Sequence, residues 1–340
     1  MIIFIVGNSR SGTTMFSRIL NNHNEIFSFH EIHFFEELVT TSELDKVLSS
    51  QNASILLAKL ISIQRIGYLK ERRVSMFLKE AQDLILNSNE IDDLTPKKVY
   101  QIFLQNETEL NNKTIPCEQT PRYIFSTVEI LKEFPNARII NMIRDPRSIL
   151  LSQKNKWKRR KLGANNIGKR EALRSWTNYH PITTSLIWRS VISKGLDYDL
   201  KYQRFTTIFF EDLIRDPQRT LESIFQFLKL TEQDNLLKIP QIGSSQLPDE
   251  KEILGLRKID FELWKKGGLT NEEIFICQMI NKKLLKQLGY SEIQLSINIF
   301  KLIFLTCIFP FKILLSLILN FKRYNNLFTA IKGRFYVRPA

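Results

Sequence analysis

The sequence predicts an α/β fold in which a central parallel sheet is flanked by helices. Short apolar runs at residues 2–6, 137–143 and 205–210 are typical of buried strands. Helical periodicity fills the segments between them, and strands that alternate with helices form parallel sheets. With 340 residues, 43% of them hydrophobic and 25% charged, the chain can bury a large core and is typical of a globular protein.

The first predicted strand leads through a glycine-containing loop into a helix. Residues 2–6 are apolar and end at Gly7 and Asn8, and the helical pattern covers residues 14–20. Backbone N–H groups in such a loop, together with the start of the following helix, bind anions. The sequence VGNSRSGTT therefore predicts an anion site at the carboxyl end of the first strand.

The rest of the chain continues the alternation of helices and strands. A Thr-Pro pair at 95–96 and an Asp-Pro pair at 216–217 are typical of helix starts. We expect one domain over residues 1–292 and a helical tail over residues 293–340. The elements predicted after the loop are helices within 53–110, a helix over 121–134, strands over 137–143 and 205–210, and a helix over 216–228.

Positive charge is concentrated in two parts of the chain. The net charge of +14 favours anionic partners such as nucleotides, acidic polymers or membrane phospholipid. Residues 154–174 hold nine basic residues and one acidic residue, Glu171. Residues 293–340 hold seven basic residues and no acidic residue. Charge alone does not choose among these partners.

The cysteines and the first residues predict a location. Cys117, Cys277 and Cys307 have no metal-ligand spacing, and their odd number argues against a disulfide framework. The chain begins in a strand-like run, without the pattern of a signal peptide. We therefore expect a reducing, cytoplasmic environment.

The loop after the first strand matches a P-loop that lacks its lysine. In the pattern G-x-x-x-x-G-K-[ST], Gly7, Gly12 and Thr14 are in register, whereas Thr13 stands in the lysine position. Arg10 lies inside the loop, and an arginine can bind two oxygens of one phosphate-like group. The alternative function for this loop is that of a P-loop phosphotransferase such as a kinase. That class needs the loop lysine and usually a magnesium-binding aspartate.

Four segments in the same order resemble sulfotransferases that use 3′-phosphoadenosine 5′-phosphosulfate (PAPS). The loop is similar to the 5′-phosphosulfate loop of that family, roughly G-x-x-R-S-G-T-T. The other segments are EQTPRY with LKEFPNARIINMIRDPRSILLSQ, FFEDLIRDPQRTLESIFQFLKL, and WKKGGLT with LGY. The resemblance runs from residue 2 to about residue 290. It implies a P-loop-NTPase-like sulfotransferase fold, PAPS as co-substrate and no metal.

The resemblance also implies which residues bind the nucleotide. In that family an Arg after the strand and a Ser eight residues later bind the 3′-phosphate, and Arg144 and Ser152 have this spacing. Because α/β folds bind ligands at the carboxyl edge of the sheet, we expect both anion sites to open there. Lys265 and Lys266 resemble basic residues that contact the 3′-phosphate. The residues that match the 5′-phosphosulfate loop are Arg10, Ser11, Gly12, Thr13 and Thr14.

The catalytic base is predicted from a second spacing. Sulfuryl transfer needs stabilisation of the leaving phosphate, which Arg10 and the loop N–H groups would supply, and a base for the acceptor proton. In tyrosylprotein sulfotransferases, which the loop resembles, a Glu stands 21 residues after the loop Arg. Glu31 stands 21 residues after Arg10. We predict that Glu31 is the base, with His30 and His33 as alternatives.

The tail contains an apolar run with a narrow polar stripe. Residues 302–319 reach the lower length limit for a spanning helix, but Pro310 and Lys312 interrupt the run near its centre. Lys301, Lys312 and Arg323 recur every 11 residues and share one side of a helix. This stripe favours a helix that lies in the membrane interface on the cytoplasmic face. A spanning helix and a helix packed on the body remain open.

The sequence thus predicts a PAPS-dependent sulfotransferase that modifies a hydroxyl group. The acceptor is a glycan, a glycolipid or another molecule that the sequence does not identify. The predicted partners are the nucleotide, this acceptor and a membrane surface, and not nucleic acid. The alternatives are a P-loop phosphotransferase and a membrane-attached protein that binds a nucleotide without turning it over.

Overall fold

A five-stranded parallel sheet forms the centre of the protein, as the sequence predicts. The computed structural model describes residues 1–67, 73–88, 93–164 and 167–320. The strands of the sheet are β1 (Ile2–Gly7), β2 (Ile26–Phe29), β3 (Ile115–Gln119), β4 (Ala137–Ile143) and β5 (Phe205–Phe209). Their order across the sheet is β2-β3-β1-β4-β5. A small antiparallel pair, β6 (Pro240–Gln241) and β7 (Glu250–Leu254), lies outside it.

Helices flank this sheet and follow its strands along the chain. Several begin with a proline in the first turn, where its missing N–H costs no hydrogen bond. The helices are α1 (Thr13–Asn21), α2 (Ser50–Ile66), α3 (Val74–Asn87), α4 (Pro96–Leu110), α5 (Thr127–Glu133), α6 (Pro146–Lys154), α7 (Lys169–Asn178), α8 (Pro181–Lys201), α9 (Phe210–Arg215), α10 (Pro217–Leu228), α11 (Asn271–Gln287) and α12 (Ile299–Asn320).

Strand β1 lies in the middle of the sheet, between β3 and β4. Ile5 is in register with Gln119 on one side and with Ile140 on the other. Because neighbouring strands are parallel, the loop after β1 and the residues after β4 meet at one edge. The structure therefore brings the two predicted anion motifs together, as expected for ligand sites in α/β folds.

Both faces of the sheet are covered at β1, which explains why that strand is apolar throughout. Successive side chains of a strand point to opposite faces. Phe4 and Val6 pack with residues of α2, α4 and α8, whereas Ile3 and Ile5 pack with residues of α1 and α10. Strands covered on both faces are read as continuous hydrophobic runs rather than alternating ones.

Strands β2 and β3 are less apparent from the sequence. Both are short, and β3 contains Pro116, Glu118 and Gln119. Glu118 and Gln119 are nevertheless buried, because other polar groups pair with them. These polar side chains hide the hydrophobic pattern by which the other strands are recognised.

The predicted helices are present, with breaks that the periodicity does not show. Residues 121–134 form a 3₁₀ turn, Pro121–Ser126, followed by α5. The helical region predicted within 53–110 consists of α2, α3 and α4, and its parts at 68–72 and 89–92 lie outside the described residues.

The apolar run of the tail forms α12, which continues through Pro310. Among the described residues, it is the one helix long and apolar enough to cross a membrane, as judged by length and composition alone. Before it, Ile293 and Leu295 pack on the body beside Trp264. The domain boundary after residue 292 stays a prediction. Arg323 and the rest of 321–340 lie outside the described residues.

A buried arginine at the start of α6 ties the C-terminal segment to the sheet edge. Arg147 donates to the Asp145 carboxylate at 3.0 and 2.7 Å and to the Ser291 carbonyl oxygen at 2.5 Å. Its guanidinium lies 4.1 Å from the centroid of the Trp264 ring. Arg147 is 3% exposed and Asp145 is 6% exposed, so each charge depends on the other for compensation.

We expect Arg147→Ala to lower the free energy of unfolding by about 3–5 kcal/mol, because it leaves the Asp145 carboxylate buried without its partner. Urea denaturation of purified protein measures the change. The control is Lys201→Ala, which breaks an ion pair with Asp197 whose side chains are 60% and 50% exposed. It should leave stability nearly unchanged. Equal effects of the two substitutions would contradict the role given to Arg147.

Candidate active site

Two glycines allow the loop between β1 and α1 to pass close to its neighbours. A side chain at Gly7 would place its Cβ 2.6 Å from the Met142 carbonyl oxygen, and one at Gly12 would overlap the Phe210 ring. Both glycines have positive φ, 141° and 95°, which favours glycine. Gly12 precedes α1 and no side chain caps that helix, so its first N–H groups are available to an anion.

The side chain of Arg10 extends from the loop toward α6. Its Nε donates to Ser152 Oγ at 3.0 Å, and Nη2 donates to the Gly243 carbonyl oxygen at 2.9 Å. Ser152 Oγ lies 2.9 Å from Ser245 Oγ. The predicted 5′- and 3′-phosphate sites are therefore contiguous, because the loop arginine contacts the serine assigned to the second site.

Arg144 joins the same cluster from the end of β4. It donates from Nη1 to the Arg10 carbonyl oxygen at 3.1 Å, and its guanidinium lies 4.1 Å from the centroid of the Phe210 ring. The Trp188 indole donates to the Arg144 carbonyl oxygen at 2.9 Å and holds the backbone. Two buried polar atoms at this place, Arg144 Nε and Ser11 Oγ, have no partner among the residues that the structure describes. Unpaired buried donors beside arginines fit an anionic ligand.

Positive charges oppose one another in this cluster. Both Arg10 and Arg144 keep some solvent-exposed surface, yet protein atoms surround their guanidinium groups. Burial, and then the charges of Arg159 and Arg144, lower the pKa of Arg10 to about 10, although Glu31 acts in the opposite direction. Burial also lowers the pKa of Arg144, although the charges of Glu211 and Asp145 act in the opposite direction. An anion bound here would relieve both the burial cost and the mutual repulsion.

Glu31 follows β2 and is joined to the loop through one side chain. Gln119 Nε2 lies 3.3 Å from Glu31 Oε1 and 3.3 Å from Thr13 Oγ1. On the other side, Glu31 Oε2 lies 3.4 Å from His33 Nε2. The second ring nitrogen of His33 lies 3.2 Å from Glu36 Oε2. The carboxylate predicted as the base is thus held between the anion loop and a histidine.

The charge states of Glu31 and His33 follow from the contacts that these residues make. Burial acts to lower the pKa of His33, but its hydrogen bonds and charge pairs with Glu31 and Glu36 outweigh burial and raise the pKa to about 10. Although the Glu31 side chain is 45% exposed, the protein atoms around it act to raise its pKa, but His33, Gln119 and Lys156 together lower it. At neutral pH His33 is therefore a cation and Glu31 is a carboxylate that can accept a proton.

The remaining predicted residues lie farther from this centre. The backbone N–H of His30 donates to Gln64, and burial, then the charge of Arg18, lowers the pKa of its ring. Lys265 pairs with Glu262, and Lys266 lies 2.7 Å from Asp260. Neither lysine contacts Arg144 or Ser152, so their assignment to the 3′-phosphate stays a prediction.

The structure adds polar groups that the sequence reading did not identify. Gln119 links the loop to the proposed base. The sequence does not identify it, because its strand, β3, contains polar residues and is hard to recognise. Lys156 is partly exposed, and burial, then the charge of Arg10, lowers its pKa. The nine basic residues of 154–174 indicate a positively charged region, but they do not distinguish Lys156 from the others. Gly243 and Ser245 come from the segment between β6 and β7, which no motif marks.

The fold and the site together define an α/β protein that holds clustered arginines and free helix N–H groups at the carboxyl edge of its sheet. This is the architecture of a protein that binds a phosphorylated ligand. Residues 3–234 match the family model described as the sulfotransferase family. The chain belongs to the sulfotransferase family.

Solved structures of sulfotransferases are similar to this chain, and the similarity to one of them, at a TM-score of 0.50, supports the fold. A sulfotransferase domain from the curacin biosynthetic pathway is 20% identical over 85% of this chain and 98% of that chain, with a TM-score of 0.50. A sulfotransferase domain from a Synechococcus olefin synthase is 19% identical over 86% of this chain and 95% of that chain, with a TM-score of 0.44. A retinol dehydratase in complex with androsterone and inactive cofactor PAP is 12% identical over 86% and 82% of the two chains, with a TM-score of 0.37. No curated protein matches the chain.

Two neighbouring histidines should titrate on opposite sides of the usual imidazole pKa of 6.5. We expect His33 to keep its proton until the pH approaches about 10, and His30 to lose its proton below pH 6.5. Because the pKa of His33 is raised in the folded state, its protonation stabilises the fold below pH 6.5, and this stabilisation is lost as the pH rises through about 10.

Ring-nitrogen NMR spectra of labelled protein across this pH range measure both titrations. The matched variant Glu36→Gln removes one of the two carboxylates that contact His33. It should lower the pKa of His33 and leave that of His30 unchanged. A His33 ring that titrates near its ordinary value in the unaltered protein would refute the ion-pair assignment.

Proposed function

We propose that this sulfotransferase transfers the sulfuryl group of PAPS to a hydroxyl group. The observation that carries the proposal is the contiguous set of Arg10, Arg144 and Ser152 beside a loop with unpaired buried donors. A nucleotide with anionic groups at both ends of its ribose matches this extended cationic site. Thr13 is buried against Gln119 in the position where a phosphotransferase needs a lysine, which favours sulfuryl over phosphoryl transfer.

The residues present fit the two ends of this co-substrate. The first N–H groups of α1, Ser11 Oγ and Arg10 would hold the 5′-phosphosulfate, with Gly12, Thr13 and Thr14 forming the helix start. Arg144 and Ser152 would hold the 3′-phosphate, with Lys265 and Lys266 as further candidates. When bound, PAPS supplies the sulfuryl group, whose bond to the phosphate oxygen breaks as the acceptor oxygen bonds to sulfur.

The chain's own groups supply charge stabilisation and a proton acceptor. Arg10 and the loop N–H groups would stabilise the negative charge that develops on the departing phosphate, which is often the largest contribution to such catalysis. Glu31 takes the acceptor proton, since its lowered pKa keeps it ionised at neutral pH. His33 already carries a proton at neutral pH and therefore does not compete for this role.

The proposed location is the cytoplasm. Cys117, Cys277 and Cys307 are free thiols in the structure, which accords with a reducing compartment. The proposed acceptor is a hydroxyl of a glycan, a glycolipid or a related molecule, and incubation with ³⁵S-labelled PAPS and an extract of the producing cells would identify it. Label in a hydroxyl-bearing product supports sulfotransfer, whereas magnesium-dependent turnover of ATP would support the phosphotransferase alternative.

Calorimetric titration with adenosine 3′,5′-bisphosphate tests the nucleotide site. Arg10→Ala and Arg144→Ala should each remove a charge-assisted contact of roughly 1.5–3 kcal/mol and weaken affinity by about 10- to 150-fold. The control, Arg219→Ala, removes an exposed arginine on α10 and should leave affinity unchanged. Thermal unfolding confirms that each variant is folded. Unaltered affinity in folded Arg144→Ala protein would remove Arg144 from the 3′-phosphate site.

Replacement of the proposed base separates catalysis from binding. Glu31→Gln keeps the shape of the side chain and removes its proton-accepting charge. Release of adenosine 3′,5′-bisphosphate in the presence of the active extract should fall by about 10²–10⁴-fold, with nucleotide affinity nearly intact. His30→Gln is the matched control and should keep most of the activity. Activity that survives in Glu31→Gln and disappears in His30→Gln would transfer the role to His30.

A further inference from the structure

Helix α12 turns its polar side chains toward the body of the protein. Lys312 Nζ lies 3.8 Å from the centroid of the Trp176 ring on α7. Ser316 Oγ donates to Asn178 Oδ1 at 2.7 Å, and Asn320 Nδ2 donates to the same oxygen at 2.9 Å. The stripe that the sequence places at lipid headgroup level is thus partly used for contacts with α7.

The opposite side of α12 is apolar and exposed. Phe300 is 80% exposed and Phe311 is 71% exposed, although a soluble helix normally buries such a face. Leu173 and Trp176 of α7 are 54% and 49% exposed and belong to the helix that α12 contacts. The other large apolar residues exposed on α12 are Ile299, Ile303, Phe304, Leu314, Leu315 and Ile318.

Positive charge adjoins this apolar face. Lys169 and Arg170 at the start of α7 are exposed, as is Lys301 at the start of α12. The 3₁₀ turn Lys156–Lys161, which packs on α7, adds further lysines and arginines. An apolar face bordered by lysine and arginine is typical of a surface that binds anionic lipid headgroups and the acyl region beneath them.

Charge also argues against a second copy of the chain as the covering partner. Two identical faces would bring these lysines and arginines against each other with few acidic residues to pair with, since 293–340 contains none and 154–174 contains only Glu171. A spanning orientation would require α12 to leave its contacts with α7 and place Lys312 near the bilayer centre, where a charge is costly. His180 Nε2, 3.1 Å from the Leu305 carbonyl oxygen, is one more contact that would be lost.

We propose that α12, with the adjoining surface of α7, docks in the plane of an anionic lipid bilayer and that the acceptor hydroxyl belongs to a membrane lipid. The polar side of α12 contacts α7 of the protein, and its apolar side inserts at the boundary between the lipid headgroups and the acyl chains. Docking of this kind buries the exposed phenylalanines without moving any polar contact of the helix. Lysines beside the face remain at headgroup level.

The assignment of the acceptor rests on the proposed function and on the position of α7. The 3₁₀ turn Lys156–Lys161 packs on α7, and α7 packs on α12. Lys156 lies within range of the charges of Arg10 and Glu31 and also of Glu171 on α7. The helix that carries the lipid face is thus connected through Lys156 to the place where the acceptor proton would be taken. We therefore assign the acceptor hydroxyl to the headgroup layer.

Flotation of the full chain with lipid vesicles tests the docking surface without any nucleotide. We expect the protein to float with phosphatidylcholine vesicles that contain phosphatidylglycerol, and less with phosphatidylcholine alone or at high salt. Phe304→Ser combined with Phe311→Ser should reduce partitioning at least about ten-fold, because two large apolar side chains no longer enter the bilayer. Circular dichroism verifies that the variant keeps its helices.

The matched control is Leu200→Ser, which alters a leucine on α8 that is 90% exposed and outside this face. It should float like the unaltered protein. Docking is overturned if the full chain stays at the bottom of the gradient, or if the double variant floats equally well. A dimer that the double variant dissociates, with no vesicle binding, would assign the face to a second copy instead.

Labelling of membrane lipid tests the acceptor separately. Total lipid of the producing cells is reconstituted in vesicles and incubated with the water-soluble extract of the same cells, ³⁵S-labelled PAPS and the protein. We expect label in the organic phase, reduced at least about ten-fold by the double variant in proportion to its lost binding. Flotation together with label only in water-soluble products overturns the lipid acceptor. Flotation with no label in any product shows that the proposed function, and the acceptor with it, is wrong.

Discussion

Repulsion among arginines gathered at the carboxyl edge of β1 and β4 is the constraint on which the arrangement of this site depends. The fold places Arg10 and Arg144 together, because the strands that precede them are parallel neighbours. Each guanidinium is then accommodated locally, by carbonyl oxygens and, for Arg144, by the face of Phe210. None of these contacts neutralises charge. On the proposed function, we therefore expect this site to favour an anion with more than one charged group.

The carboxylate at Glu31 depends on a second electrostatic arrangement nearby. His33 lies between Glu31 and Glu36, and the two acids keep it protonated. The imidazolium in turn keeps Glu31 ionised, at the cost of lower basicity. Gln119 connects this arrangement to Thr13 in the anion loop. The two halves of the proposed reaction, charge stabilisation and proton removal, thus meet through one neutral amide.

Local patterns in the sequence predict much of this fold. The strands β1 and β4 are visible because burial on both faces leaves a largely continuous hydrophobic run, and β5 is visible from its apolar residues Phe205, Ile208 and Phe209. Strand β3 is not, since Glu118 and Gln119 are polar residues whose burial depends on partners distant in sequence. The contacts of Arg10 with Gly243 and of α12 with α7 are likewise determined by tertiary packing. The spacing of residues along the sequence does not predict them. The direction in which the polar stripe of α12 faces is therefore a result of the structure.

The hydrogen bonds of Arg10 to Ser152 and Gly243 have a consequence for ligand discrimination. A small anion that reaches only the loop must compete with these two internal acceptors for one guanidinium, and it gains little in return. A longer ligand that also binds Arg144 gains contacts there, and these contacts compensate for the internal hydrogen bonds of Arg10 that it displaces. If the proposed nucleotide site is right, we expect the protein to select its ligands by length, so that abundant inorganic phosphate competes poorly despite the positive charge of the site.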